Sequence, residues 1–283
     1  MAEKDISVAF TKQFQSEVKL AYQQSGSKLR NTVRTQNNIV GASTVFNRIG
    51  KGTASTKARH GLVPVMNLEH GTVECLLSDY YAGDWVDALD EKKTTIDERK
   101  AIATSGAYAL GRKSDALIID ALKTTKTEVG DGTTGLTKAL ILEAFAKLNS
   151  TDVPDDGQRF GIVGAVQWNE LLGIEEFTKS DYAGDNLPFL KGTESRKWLG
   201  INWILHTGLP LDSNVRSCFV YHKTAVGHAS GQDIKSDITW HGDHASHFID
   251  NMMSQGACLI DGDGVVKIKC KEAAAVVSED DEG

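Results

Sequence analysis

The sequence is short of everything that would mark a secreted, membrane-spanning or catalytic protein. Its four cysteines, Cys75, Cys218, Cys258 and Cys270, are scattered, with no C-x-x-C pair. That is neither a disulfide scaffold nor a zinc ribbon, and it reads as four reduced, mostly buried thiols of a cytoplasmic protein. No run approaches the roughly 18 apolar residues of a membrane-spanning helix. The opening M-A-E-K-D-I-S-V-A-F has no apolar segment behind a basic flank, so no secretory signal is expected. There is no G-x-S-x-G around a serine nucleophile, and no catalytic signature around any cysteine. Positive charge is also scarce: 31 Lys and Arg face 38 Asp and Glu, a net charge of −7. More than half of that excess is one acidic run, Glu279-Asp280-Asp281-Glu282. The nearly neutral body excludes a whole-surface basic field for wrapping nucleic acid.

What is present is ordinary globular material. The 283 residues are 40% hydrophobic and 24% charged, enough for one large domain or two ordinary ones with a core that needs no staples. Phe10, Phe14, Val18 and Tyr22 recur every fourth residue and predict an amphipathic helix over 7–25, ended by Gly26. Residues 26–61 are polar. Within them K-G-T-A-S-T-K-A-R-H-G, at 51–61, carries Lys51, Lys57 and Arg59 with no acid, and reads as an exposed loop tip. Extended segments at 45–49, 62–68 and 73–81 flank it and predict a β-excursion. Such a hairpin has little core of its own and is marginal alone, so it needs something to lie on.

A long helix follows. Thr95 and Glu98 form a capping-box pattern, and Ala103, Ala107, Leu110, Leu117 and Ala121 hold one face as far as Lys123, with Ser114 the polar member. At 1.5 Å per residue it spans about 40 Å. A second helix is expected at 137–149 with Thr137 as cap and Leu140, Ile141, Ala144, Phe145 and Leu148 inward. V-P-D-D-G at 153–157 is a turn, R-F-G-I-V-G at 159–164 a buried strand, and 167–172 a short helix. Residues 173–197 read as irregular, and 198–207 and 218–222 as strands separated by G-L-P-L-D-S-N. Phe248, Ile249, Met252 and Met253 predict a short helix over 246–255. A-C-L-I, D-G-D-G and V-V-K-I-K-C then read as a closing β-hairpin, with Val266, Ile268 and Cys270 on one face and Lys267 and Lys269 on the other. The end of the chain, 273–283, is expected to be a disordered acidic tail.

Few constellations suggest chemistry. His241, His244 and His247, with Asp243 between, are three apart, a donor set that suits zinc. Gly242 argues against a helix there, no zincin spacing appears, and solvated histidines are the simpler reading. D-G-D-G at 261–264 lacks the closing glutamate of a calcium loop. G-D-G-T-T-G at 130–135 lacks the lysine of a phosphate cradle. Lys51, Lys57 and Arg59 have no aromatic residues interleaved for stacking on bases, and suit an acidic neighbour equally well. No catalytic, cofactor-binding or metal-ligating residue is assigned.

The order of parts says more than any motif. A helical arm, a long β-excursion, a spine-like helix, a mixed α/β region and a returning C-terminal hairpin resemble the major capsid (coat) proteins of tailed bacteriophages, with the Hong Kong-97-like α+β fold. F-T-K-Q-F-Q-S-E-V-K-L-A-Y-Q-Q-S-G-S-K-L-R is similar to the opening of one phage coat-protein family. D-E-R-K-A-I-A-T-S-G-A-Y-A-L-G-R-K-S-D resembles its spine helix, V-P-D-D-G-Q-R-F-G-I-V-G-A-V-Q-W-N-E-L-L its lead into the axial domain, and G-A-C-L-I-D-G-D-G-V-V-K-I its closing hairpin.

The resemblance implies an N-terminal arm at 1–40, an extended β-loop at 41–92 and a peripheral domain with the spine helix at 93–136. It further implies an axial domain at 137–235, a peripheral return with the β-hairpin at 236–272, and the tail at 273–283. It implies a non-enzymatic protein that self-assembles through pentamers and hexamers into an icosahedral head enclosing double-stranded DNA without sequence-specific binding. Such a shell is built in the bacterial cytoplasm and ends in the virion. Possible partners are separate scaffolding, portal and decoration proteins; no membrane and no cofactor are implied. Phe10 comes too early for a long N-terminal scaffolding region, and no lysine–asparagine crosslink position can be matched. Two other readings stand beside it: an encapsulin-type nanocompartment shell of the same fold, and a metal-dependent enzyme using His241, His244 and His247.

Overall fold

The computed structural model describes residues 23–91, 98–178 and 196–272. The arm helix expected at 7–25 lies outside these residues except for 23–25, which are not helical; the Thr95 cap and the acidic tail lie outside them too. The described chain divides into two compact units. One comprises 23–27, Asp79–Arg112 and Asp233–Met253 within its bounds, the other Lys28–Ser78, Lys113–Gln232 and the segment from Ser254.

The elements are β1 (Arg34–Gln36), β2 (Ser43–Ile49), β3 (His70–Leu76), β4 (Ser78–Asp87), α1 (Ala88–Glu91), α2 (Glu98–Lys123), β5 (Glu128–Val129) and α3 (Lys138–Ser150). There follow β6 (Arg159–Val163), α4 (Ala165–Leu172), α5 (Glu175–Thr178), β7 (Arg196–Trp198), β8 (Ile201–Leu205) and β9 (Leu211–Asp212). The last are β10 (Val215–His222), β11 (Val226–His241), β12 (Ser246–Leu259) and β13 (Val265–Lys271).

The larger unit is built on a seven-stranded mixed sheet in the order β5-β13-β10-β6-β8-β7, with β9 on β10. β10 runs antiparallel to both β13 and β6, and β6 runs parallel to β8. Cys218 to His222 are buried without a break, as a central strand covered on both faces requires. Ile118 and Leu122 from α2, Ile141, Ala144 and Leu148 from α3, and Trp168 and Leu171 from α4 join the same core. Thr137 caps α3 as expected, its hydroxyl accepting from the Leu140 N–H at 3.4 Å. Gly161 pairs with Trp203 across β6 and β8, and a Cβ there would stand 2.6 Å from the indole. The glycine is the room that the tryptophan occupies.

Two buried charged groups in this unit are tied to backbone. The Asp115 carboxylate, fully buried, accepts from the Lys28 and Leu29 N–H groups and from His206 Nε2, each at 3.0 Å. It fixes the turn at 28–33 to α2. Arg159, also buried, donates Nε to the Pro154 carbonyl at 3.0 Å and Nη2 to the Val153 carbonyl, so it latches the V-P-D-D-G turn.

In the smaller unit Asn251 does the equivalent work. Its amide donates to the Ala82 carbonyl at 3.0 Å and its oxygen accepts from the Ser236 hydroxyl. A Cβ at Gly106 would stand 2.1 Å from that amide nitrogen, which explains a glycine in mid-helix despite its cost there of about 1 kcal/mol.

Several expectations are corrected. Residues 246–255 form no helix; they belong to β12, in a four-stranded sheet ordered β1-β11-β12-β4. Ile249, Asn251, Met253 and Gln255 are its buried row, a period of two in which half the members are polar. Phe248, Ile249, Met252 and Met253 only imitate a helical stripe. The closing β-hairpin is absent among the described residues: β13 pairs with β10 and β5, not with β12. D-G-D-G is instead a 3₁₀ corner between two sheets, in which Asp261 Oδ1 accepts from the Asp263 N–H at 3.1 Å. Val266, Ile268 and Cys270 are buried as expected, while Lys267 and Lys269 pair with Glu128.

The segment at 198–207 is two strands, turned at Leu199 and Gly200, both with positive φ, as a two-residue hairpin turn requires. Residues 73–81 likewise split between β3 and β4, and 62–68 form no strand. Residues 175–178, expected to be irregular, form α5. On α2 the buried row is Leu110, Ser114, Asp115, Ile118, Ile119, Ala121 and Leu122, with Leu117 only half-buried.

Candidate functional site

Alternation in two short strands builds the candidate site. β2 and β3 pair antiparallel from Ser43–Leu76 to Ile49–His70, and the Gly50 N–H closes the ladder on the Glu69 carbonyl at 2.8 Å. Phe46 and Cys75 point inward, into a small cluster with Ala229 and Ile260. Val45 and Ile49 point to solvent. A Cβ at Gly227 would meet the Phe46 ring at 2.8 Å, so the ring lies on bare backbone.

Charges hold the root. Arg48 Nη2 stands 3.2 Å from Asp261 and 3.6 Å from Asp263, on the D-G-D-G corner. Lys51 Nζ donates to the Thr151 carbonyl at 3.0 Å and to Asp152 at 2.8 Å, and holds the Asp152 carboxyl below its usual range. Between these pairs lies a cleft of about 230 Å³. Half-exposed pairs like those of Arg48 contribute about 0.2–1 kcal/mol each, so packing of Phe46 outweighs them.

Beyond the root, residues 51–67 are all exposed. The tip turns at 58–61, where the Gly61 N–H donates to the Ala58 carbonyl at 2.9 Å and His60 has φ of +68°. Four consecutive or near-consecutive apolar side chains stand in solvent: Leu62 at 95%, Val63 at 74%, Val65 at 80% and Met66 at 50% exposure. A run of exposed apolar side chains makes this segment a candidate contact surface. The sequence pointed to the basic residues of this loop; the apolar run beside them was read only as a strand. Lys51 turns out to serve the root.

The other candidates serve structure. H-G-D-H-A-S-H spans the turn at 242–245, with His241 ending β11 and His247 within β12. His241 and His244 lie at 5.1 and 4.7 Å from the Trp85 ring, and His247 at 4.8 Å from Trp240. Among the described residues no group of three or more His, Cys, Asp or Glu is placed to hold a metal ion. In G-D-G-T-T-G the Asp131 carboxylate accepts from the Thr133 N–H at 3.0 Å and its hydroxyl at 2.6 Å, which holds its pKa low and fills the loop. No helix among the described residues is long and apolar enough to cross a membrane.

Comparison with known proteins gives this geometry a context. A search of curated protein sequences found no match. Among solved structures, one titled Mycobacterium phage Che8 is 20% identical, with a TM-score of 0.71 over 94% of this chain and 98% of that one. The capsid of the cyanophage P-SCSP1u is 17% identical, with a TM-score of 0.72 over 96% of each chain. The capsid of Ralstonia phage GP4 is 12% identical, with a TM-score of 0.74 over 97% of this chain and 98% of that one. These likenesses show the fold, the Hong Kong-97-like α+β fold. A family model described as phage capsid protein matches residues 6–272. With that match over nearly its whole length, the chain belongs to the phage capsid proteins: it is a major capsid protein, a structural component of the virion's icosahedral shell.

Proposed function

We propose that the chain assembles through pentamers and hexamers into a head that encloses double-stranded DNA, is built in the host cytoplasm, and performs no catalysis. One observation carries this reading: the exposed apolar tip of the β2–β3 hairpin. Burying Leu62, Val63, Val65 and Met66 against a neighbouring copy stabilises the contact by about 5–10 kcal/mol as an upper bound. That is ample to drive association repeated around a shell.

In this reading residues 1–40 are the arm, 41–92 the extended loop, 137–235 the axial domain, and 93–136 with 236–272 the peripheral domain, ahead of a tail at 273–283. Scaffolding, portal and decoration proteins are the partners such a head uses. The near-neutral body suits a wall that surrounds DNA without gripping it. No specific observation favours a cargo-enclosing compartment or a metal enzyme at His241, His244 and His247.

The test is electron microscopy and sedimentation of the purified full chain beside a variant with residues 52–67 replaced by a short Gly-Ser linker. Particles with five- and six-fold capsomers from the full chain, and folded but unassembled subunits from the variant, are expected. Particles from both would remove the hairpin from the argument, and a full chain that stays monomeric with and without co-expressed scaffold would overturn the proposal.

A further inference from the structure

The larger unit gathers the four scattered cysteines into two pairs. Cys75 of β3 and Cys258 of β12 meet in one small cluster. Cys75 is buried in the Phe46–Ala229–Ile260 cluster, and Cys258 is half-buried at its edge. Gly256, two residues before Cys258 and therefore on the same face of β12, permits the approach. A Cβ there would stand 3.5 Å from Cys75 Sγ and 2.0 Å from the Leu76 carbonyl oxygen.

Cys218 and Cys270 are neighbours too, on adjacent paired strands. The β10–β13 register sets Cys218 opposite Ile268 and Cys270 opposite Arg216, so the two are diagonal neighbours. Diagonal positions lie about 7–8 Å apart, beyond the Cα separation of roughly 4.4–6.8 Å that a disulfide accepts. Both are fully buried.

We propose that Cys75 and Cys258 form a reversible disulfide that staples the root of the β2–β3 hairpin to β12, by exchange with a small disulfide such as oxidised glutathione. Cys258 attacks first, being the more accessible. The neighbouring Cys75 thiol, with help from the Gly227 backbone, holds the Cys258 pKa below that of an ordinary thiol. The same contact and burial push the Cys75 thiol up. The Cys258 thiolate bonds to one glutathione sulfur and expels the other as thiolate. Cys75 gives its proton to that thiolate and attacks Cys258 Sγ, and the second glutathione leaves. Two protein thiols are oxidised and one glutathione disulfide is reduced to two thiols.

The experiment uses the full chain, unassembled, purified under reductant and equilibrated in glutathione redox buffers. It is then denatured, alkylated and mapped by non-reducing peptide mass spectrometry. The expected result is loss of two of the four alkylatable thiols and one intramolecular link between the Cys75 and Cys258 peptides, both reversed by reductant. Cys258→Ser and Cys75→Ser each abolish the link, and the wild-type map decides alone if either fails to fold. Four free thiols under excess oxidised glutathione, glutathione held at Cys258, a Cys218–Cys270 link or a link between chains would each overturn the proposal. The test needs no assembly, so its failure leaves the shell reading untouched.

Discussion

Replacing Phe46 by Ala should release the root of the β2–β3 hairpin while the larger core stays folded. Phe46 is 2% exposed and is the largest side chain in a cluster otherwise made of Cys75, Ala229 and Ile260. Its ring lies on Gly227, and the Arg34 guanidinium sits 5.5 Å above it. Truncating a buried Phe costs about 3–5 kcal/mol, the upper values applying where the surroundings cannot collapse. Here the cluster is small and separate from the main core, so about 3 kcal/mol should fall on local docking. At 1.4 kcal/mol per tenfold, amides in β2 and β3 should exchange about a hundred times faster. Hydrogen–deuterium exchange on unassembled subunits, following 43–49 and 70–76 with β10 as control, measures this. Unchanged exchange in β2 and β3, or equal acceleration in β10, would refute the idea that Phe46 docks the hairpin locally.

Three further outcomes are expected. Asp115→Ala leaves the buried Leu29 N–H, the part-buried Lys28 N–H and the buried His206 without their acceptor and should cost about 3–5 kcal/mol in urea unfolding; a loss under 1 kcal/mol would show that water replaces the carboxylate. Arg216 grips Glu272 through two hydrogen bonds and holds its carboxyl below the usual range, so the stabilisation is present above the unfolded pKa of about 4.3 and lost as pH falls through the lower folded value. Glu272→Gln should therefore cost about 1.5–3 kcal/mol near neutrality, with the gap to wild type closing in acid; a gap independent of pH contradicts this. Gly161→Ala drives a methyl into the Trp203 ring and should cost about 1–3 kcal/mol with a changed tryptophan emission spectrum, whereas an unperturbed spectrum and stability would mean the ring shifts freely.

The sequence was legible where the signal is short-range. Thr137 and the stripe Ile141, Ala144 and Leu148 placed α3, and the long Ala-rich pattern placed α2. The exposed loop and the alternation of Val266 to Cys270 were equally plain. It misled where a buried row contains polar residues. Asn251 and Gln255 face inward because Ala82, Ser236 and His228 satisfy them, and none of those partners is near in sequence. Read without those partners, the apolar letters of β12 imitate a helix. The same holds for Asp115, whose burial depends on backbone groups supplied from 28–29.

The candidate site divides the same way. A polar, glycine-bearing loop between extended segments was enough to expose the tip, because no core-forming pattern covers it. The use of each charge was decided in three dimensions: Lys51 pairs with Asp152, and Arg48 reaches the D-G-D-G corner. So was strand pairing. β12 and β13 are joined by five residues that include the turn-like D-G-D-G, yet β13 pairs with β10 and leaves β12 to another sheet. By itself the sequence determined α2, α3 and the exposed loop, since caps and periodicity act within a few residues. Only the tertiary structure decided which strands pair, which polar groups are buried and which cysteines meet, since each of those depends on a partner that chain distance does not reveal.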